Sequence, residues 1–417
     1  THATGTARNY FGTDSIAPGV PNIEAYEADD YVLNGVLKTG SPNGPTLTYG
    51  RIHNHSWVAT GVSTSIAEDA VRRLDYLVDQ GVAIDVVSGQ PVIGITSIVA
   101  VGTGACSFPE LLANSYNAIA VGLSDGASSA IGTTVDGAGR SKPDLVAPGL
   151  WPPISSTPLP SRSTARVSAA ATLLMDTALA TAQPDAQRPE TIKALLMAGA
   201  TKDEFVDWTH TDTQPLDLRY GAGEVNIDNR HRILEAGQFE ASDVTAVSSV
   251  GWDLDEITGG ESLYYFFEVD AGFPSDGLSA ILTWNRHIDI TPGVGPFAAT
   301  LTPELADLNL RLHTADAGLG LGVELEQSIS TIDNVEHIYL PTLAAGWYAL
   351  EIEAIENAAL PSNESWQFAL AWDAMPGLLP GDVNGDGMVN GLDVNVVAIN
   401  WMMNVGSRAE GDLNGDG

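Results

Sequence analysis

The fold of the first half of the chain is predicted from the stretch Leu159-Pro-Ser-Arg-Ser-Thr-Ala-Arg-Val-Ser-Ala-Ala-Ala-Thr-Leu-Leu174. This stretch leads into an alanine-rich segment, Ala165–Ala182, whose small side chains predict a helix that packs closely against a sheet. Upstream, the short apolar runs Val82–Val87 and Ala118–Gly122 are typical of parallel strands buried on both faces. A further helix is predicted over Ser65–Val78. Alternating helices and buried strands predict an α/β layered domain.

Three compositional zones follow one another along the 417 residues. The α/β pattern covers residues 1–238. Residues 239–376 alternate apolar and polar positions in short runs between turn residues, which predicts an all-β sandwich. These runs are Leu263–Val269, Leu278–Trp284, Leu308–Leu312, His337–Leu340, Tyr348–Ile352 and Gln367–Trp372. Residues 377–417 form a small third module set off by prolines and glycines.

The charge of the chain restricts its partners. Eighteen Lys and Arg against 53 Asp and Glu give a net charge of −35 at pH 7. Such a surface repels phosphate and anionic lipid, so nucleic acids and membrane surfaces are poor partners and calcium is a good one. Cys106 is the only cysteine, which excludes an intrachain disulfide and a multi-cysteine metal site. No apolar run reaches the ~20 residues that cross a bilayer.

Calcium binding is predicted by Asp382-Val-Asn-Gly-Asp-Gly-Met-Val-Asn-Gly-Leu-Asp393. Oxygen-bearing side chains occupy the metal-facing positions of an EF-hand-type loop, and a glycine stands where the chain must turn sharply. A second copy begins at Asp412. The candidate ligands are Asp382, Asn384, Asp386, Met388 (through its carbonyl), Asn390, Asp393, Asp412, Asn414 and Asp416. The alternative is an Asp/Asn/Gly turn that holds no metal.

The duplicated loop, with aspartate at its last position, resembles the type I dockerin duplication. This resemblance covers the third zone and implies Ca²⁺ as cofactor and a cohesin-like protein as partner. In the second zone, Asp333–Tyr339 followed by Ala345–Glu351 is similar to the β-sandwich modules (pre-peptidase C-terminal or P-like) that follow secreted bacterial peptidases. Together the modules imply a secreted protein, extracellular or at the cell surface.

Motif order suggests a catalytic function for the first zone. The chain opens with His2-Ala-Thr-Gly, continues through Ser15-Ile-Ala-Pro-Gly19 and Asn54-His-Ser-Trp57, and then reaches Lys142-Pro-Asp-Leu-Val-Ala-Pro-Gly149 and Pro160-Ser161. This order resembles the subtilase family of serine proteases. The resemblance implies a subtilisin-like, mostly parallel sheet with flanking helices. It also implies serine endopeptidase activity on polypeptide substrates.

Carried over residue by residue, the resemblance makes His2 the general base and Ser161 the nucleophile. A serine hydroxyl needs such a base, and a carboxylate must orient the base. That aspartate is expected upstream of Thr1, because we interpret the chain as a fragment cut at both ends. Asn54, Ser56 and Trp57 would line the substrate strand. Gln90 is the candidate oxyanion donor.

Three positions depart from the family pattern. Leu159 and Pro160 replace the usual Gly-Thr before the nucleophile, and Ala165 replaces a proline. The identity of the side-chain amide that would stabilise the oxyanion depends on how the chain is aligned to the family. A competing alignment places Val99–Gly104 at this position and leaves no amide there. These departures keep a second hypothesis open, in which the first zone is a catalytically inactive subtilase fold serving as an adhesion or scaffold module.

Overall fold

A computed structural model describes residues 2–46, 48–59, 61–84, 91–104, 111–126, 130–150, 157–202, 204–270, 277–294 and 298–374, together with Gly391 and Val394. For residues 82–84 and 91–93 the backbone alone is described. The predicted oxyanion donor Gln90, Cys106 and all the predicted calcium ligands lie outside the described residues.

Both predicted helices are confirmed. The helix predicted over Ala165–Ala182 begins earlier, at Pro160, because the fixed φ of proline suits the first turn of a helix. No helix in the described ranges is long and apolar enough to span a bilayer. The helices are α1 (His2–Phe11), α2 (Ala28–Asp30, continuing into a π-helical turn over Tyr31–Gly35), α3 (Thr64–Gln80), α4 (Pro160–Ala180), α5 (Pro189–Ala198) and α6 (Ile227–Ala236).

A four-stranded parallel sheet forms the centre of the first zone, in the order β1-β4-β5-β6. The prediction of a parallel strand over residues 82–87 was wrong for the described part, residues 82–84, because β2 pairs antiparallel with β3 as a separate ribbon. The strands are β1 (Ile52–His55), β2 (Val82–Ile84), β3 (Pro91–Ile93), β4 (Thr96–Ala100), β5 (Ile119–Leu123) and β6 (Leu145–Ala147).

Helices cover both faces of the parallel sheet. Ile98 and Val121 point into a core shared with α4 and α5, whereas Val99 and Ala120 point into a core shared with α3. Adjacent strand residues face opposite sides, so the near-continuous apolar runs of β4 and β5 serve two cores. The mixed α/β class predicted from the sequence is confirmed.

The second zone forms two four-stranded antiparallel sheets, in the orders β13-β12-β15-β8 and β14-β9-β16-β7. They pack face to face over a core that includes Phe267, Leu350 and Trp372. All six predicted runs lie within strands. The strands are β7 (Val250–Thr258), β8 (Ser262–Val269), β9 (Leu278–Trp284), β10 (His287–Thr291), β11 (Thr300–Glu304), β12 (Asp307–Ala315), β13 (Leu321–Ser328), β14 (Val335–Leu340), β15 (Gly346–Ile355) and β16 (Ser365–Asp373).

Helix α5 joins the two zones. Every one of its residues is buried, because the parallel sheet packs on one side and strands β9 and β16 pack on the other. Along β16, Phe368 and Leu370 enter the sandwich core, and Ala369 and Ala371 enter the core around α5. One hydrophobic core therefore continues from the first zone into the second, across the boundary predicted between residues 238 and 239.

Candidate active site

Ser161 stands in the first turn of α4, and its side chain is partly exposed. Leu159 caps this helix with φ −136° and ψ 129°, an extended conformation that any residue adopts. Leucine in place of the family's glycine at this position therefore imposes no backbone strain. The first-turn N–H groups and the positive end of the helix dipole favour negative charge next to Ser161.

A hydrogen-bond network joins Ser161 to the end of β1. Ser56 Oγ donates to the main-chain oxygen of Ser161 at 2.8 Å and accepts from Asn54 Nδ2 at 3.0 Å. Asn54 Oδ1 in turn accepts from Ser168 Oγ at 3.0 Å, about two turns further along α4. Two of the predicted substrate-strand residues, Asn54 and Ser56, thus hold the end of β1 against α4.

His2 lies at the start of α1, which packs along α4 through a 2.9 Å hydrogen bond between Tyr10 Oη and Thr172 Oγ1. The exposed His2 lines a cavity of about 300 Å³ together with Asn54, Ser56 and Trp57. Ser161 does not line this cavity, but its main-chain oxygen is hydrogen-bonded to Ser56, which does. Within the described ranges, no hydrogen bond joins His2 to Ser161.

Two neutral histidines form part of the cavity wall. The main-chain oxygen of Gly50 can only accept, so the contact at 3.1 Å places the proton of His53 on Nε2. His53 Nδ1 then accepts from Tyr31 Oη at 2.8 Å. His55 packs edge-on to Tyr31, with ring centroids 4.7 Å apart. Burial lowers the pKa of His53 to about 4 and that of His55 to about 3. Both rings are therefore uncharged at neutral pH.

His53 and His55 are spaced as a pair of metal ligands, since they stand two residues apart on one strand. In the part of the chain that the structure describes, however, no group of three or more His, Cys, Asp or Glu side chains is arranged to hold a metal ion. Glu24 is the carboxylate that lines the cavity, and it accepts a hydrogen bond from Tyr26 Oη at 3.2 Å rather than from His2. The alternation of β1 was the sequence signal that placed both histidines on one face.

No family model matches the chain, and no curated protein matches it. Three solved structures illustrate the partial likeness of its fold to other proteins. The prenylagaramide maturation protease PagA is 21% identical over 56% of this chain and 82% of its own, with a TM-score of 0.34. The patellamide maturation protease PatA is 19% identical over 44% and 63%, with a TM-score of 0.28. Tripeptidyl peptidase 2 is 12% identical over 89% and 40%, with a TM-score of 0.32.

Proposed function

We propose that the chain is a subtilisin-like serine endopeptidase in which Ser161 is the nucleophile and His2 the general base. The observation that carries the proposal is the position of Ser161 in the first turn of α4, hydrogen-bonded through Ser56 to the cavity that His2 lines. A hydroxyl at a helix start, with an exposed imidazole at the adjacent cavity, supplies the two groups that acyl transfer needs.

In the proposed reaction, Ser161 Oγ attacks the carbonyl carbon of a peptide bond while His2 accepts the hydroxyl proton. The proton then passes to the leaving amine, and water releases the acyl group by the same route. First-turn N–H groups of α4 stabilise the oxyanion, and Gln90 is proposed to assist. Trp57 and the strand end at Asn54 would hold the substrate. The carboxylate that orients His2 is expected N-terminal to it, as the subtilase resemblance implies.

Labelling of the full-length natural protein with a fluorophosphonate probe tests this proposal. We expect labelling in the presence of calcium and its loss, by at least about 100-fold, in Ser161→Ala. The exposed serine Ser65 is a matched control, because Ser65→Ala should retain full labelling. A folded wild-type protein that takes up no probe would contradict the proposal.

A catalytically inactive scaffold is the second candidate. The absence of a hydrogen bond between His2 and Ser161 in the described ranges favours it, although catalytic contacts often tighten only around bound substrate. The two candidates differ in the labelling experiment, since a scaffold folds normally and leaves the probe unreacted.

We further propose that residues 377–417 bind Ca²⁺ and anchor a secreted protein to a cohesin-like partner. The support is the ligand pattern that starts at Asp382, in which carboxylate and amide oxygens recur at calcium-binding positions. We expect Asp382→Ala to lower the calcium stoichiometry by one site in isothermal titration. Asp289→Ala, which removes an exposed carboxylate of β10, should leave the stoichiometry unchanged. Equal stoichiometry in wild type and Asp382→Ala would exclude this loop as a site.

A further inference from the structure

A second cavity, of about 340 Å³, lies between α4 and α6 and is called here the α4–α6 cavity. Leu173 and Thr177 line it from α4, and Ile227 and Arg230 line it from α6. Leu173 follows Ser161 by twelve residues on the same helix, which places the two about 18 Å apart along its axis. The cavity is therefore separate from the candidate active site.

Arg230 is the unusual residue of this cavity. It is 1% exposed, and its Nε and Nη1 atoms are buried without a hydrogen-bond partner in the described residues. By comparison, the equally buried Arg73 donates to the carboxylate of Asp69 and to three main-chain oxygens. A buried guanidinium without hydrogen bonds is costly, because it loses its hydration and gains nothing in return.

Two further basic side chains that line the α4–α6 cavity, His231 and Arg232, each contact a carboxylate. His231 contacts Glu235 at 3.3 Å, and Arg232 forms an ion pair with Asp373 at 2.5 Å. Asp228 attracts Arg230 over a longer range but forms no hydrogen bond with it in the described part of the chain. Although burial lowers the pKa of Arg230 to about 10, its guanidinium remains protonated at neutral pH.

We propose that the α4–α6 cavity binds a carboxylate ligand that carries an apolar group, with the guanidinium of Arg230 donating to the carboxylate. The planar guanidinium matches the two oxygens of a carboxylate. Leu173 and Ile227 supply apolar surface beside it. A monoanion suits the site better than a phosphate, because one guanidinium lacks a partner and the net charge of −35 repels multivalent anions.

The probe pair N-acetyl-L-leucine and N-acetyl-L-leucinamide tests this proposal, because the two differ in the carboxylate alone. In isothermal titration of the full chain, we expect the acid to bind and the amide to bind at least about tenfold more weakly, the usual worth of a charge-assisted hydrogen bond. Binding of the amide as tight as that of the acid would overturn the proposal. Absence of binding by the acid would do the same. So would binding of inorganic phosphate in preference to the acid.

Substitution of Arg230 tests the donor. Arg230→Met should bind the acid at least about tenfold more weakly. It should also unfold at a temperature equal to or above that of the ligand-free wild type, because it removes an unpaired buried charge. Arg219→Met, at an exposed position outside the cavity, should bind normally. Arg230→Lys keeps the charge without the planar fork and should also weaken binding, so it tests the donor even where the methionine variant is unfolded. Unchanged affinity in the folded Arg230 variants would contradict the assignment.

Discussion

Replacing Asp144 by alanine is expected to lower the free energy of unfolding by about 3–5 kcal/mol. Asp144 Oδ2 lies 2.6 Å from Lys142 Nζ, and its Oδ1 lies 3.3 Å from Lys193 Nζ. All three residues are at most 3% exposed. The carboxylate also accepts from the N–H of Ala120 on β5, at 2.6 Å. The substitution would leave two buried ammonium groups without their counter-ion.

Urea denaturation at pH 7 measures this effect. Asp176→Ala removes an exposed carboxylate of α4 and should change the stability by less than about 0.5 kcal/mol. The deficit of Asp144→Ala should shrink at pH 9, because burial already lowers the pKa of Lys142 to about 8 and loss of the carboxylate favours the neutral amine further. A deficit below about 1 kcal/mol at pH 7 would show that the ion cluster is not a major source of stability.

The second large effect is a loss of stability at alkaline pH caused by Asp79. This residue lies in the last turn of α3, next to its final residue, and is 8% exposed. Burial, with the nearby carboxylate of Glu190, raises its pKa from 3.8 to about 8. Between these two values the folded state binds more protons than the unfolded state, so the free energy of unfolding falls as the pH rises. Linkage gives a loss of about 4 kcal/mol between pH 5 and pH 9 from this group.

A comparison of wild type with Asp79→Asn isolates this contribution. Other titrating groups, such as His53 and His55, whose lowered pKa values act in the opposite direction, largely cancel in the difference. We expect Asp79→Asn to gain about 4 kcal/mol relative to wild type when the pH is raised from 5 to 9. Asp289→Asn, at an exposed site, should show no such gain. A difference independent of pH would mean that Asp79 ionises normally in the folded protein.

The periodicity of the sequence was sufficient for the local elements. The apolar spacing of residues 65–78 and 165–182 predicted α3 and most of α4, and six period-two runs predicted β8, β9, β12, β14, β15 and β16. Strands β7, β10, β11 and β13 were not among the predicted runs. In β13 the alternating residues Leu321, Val323 and Leu325 are exposed, so alternation in the sequence does not by itself show which face of a strand is buried. The pattern of residues 82–87 was read as a parallel strand, since a short apolar run does not reveal which strand it pairs with.

The residues of the candidate site could also be predicted from the sequence, whereas the contacts between them could not. Motif order selected His2, Ser161 and the strand Asn54–Trp57 from the sequence, and the structure places His2 and this strand on one cavity. The extended φ of Leu159, the hydrogen bond that positions Ser56 and the missing partner of Arg230 depend on atoms brought together from distant parts of the chain.

The main helices and strands of the first two zones, and the candidate chemical groups, could be predicted from the sequence, because they follow from local spacing and side-chain chemistry. Tertiary structure alone decided that α5 is buried between the parallel sheet and the sandwich and that one core crosses residues 238 and 239. It also decided which buried charges are paired, as Asp144 is, and which are not, as with Arg230. The physical reason is that burial and pairing are set by contacts between residues far apart in the chain, which no local pattern encodes.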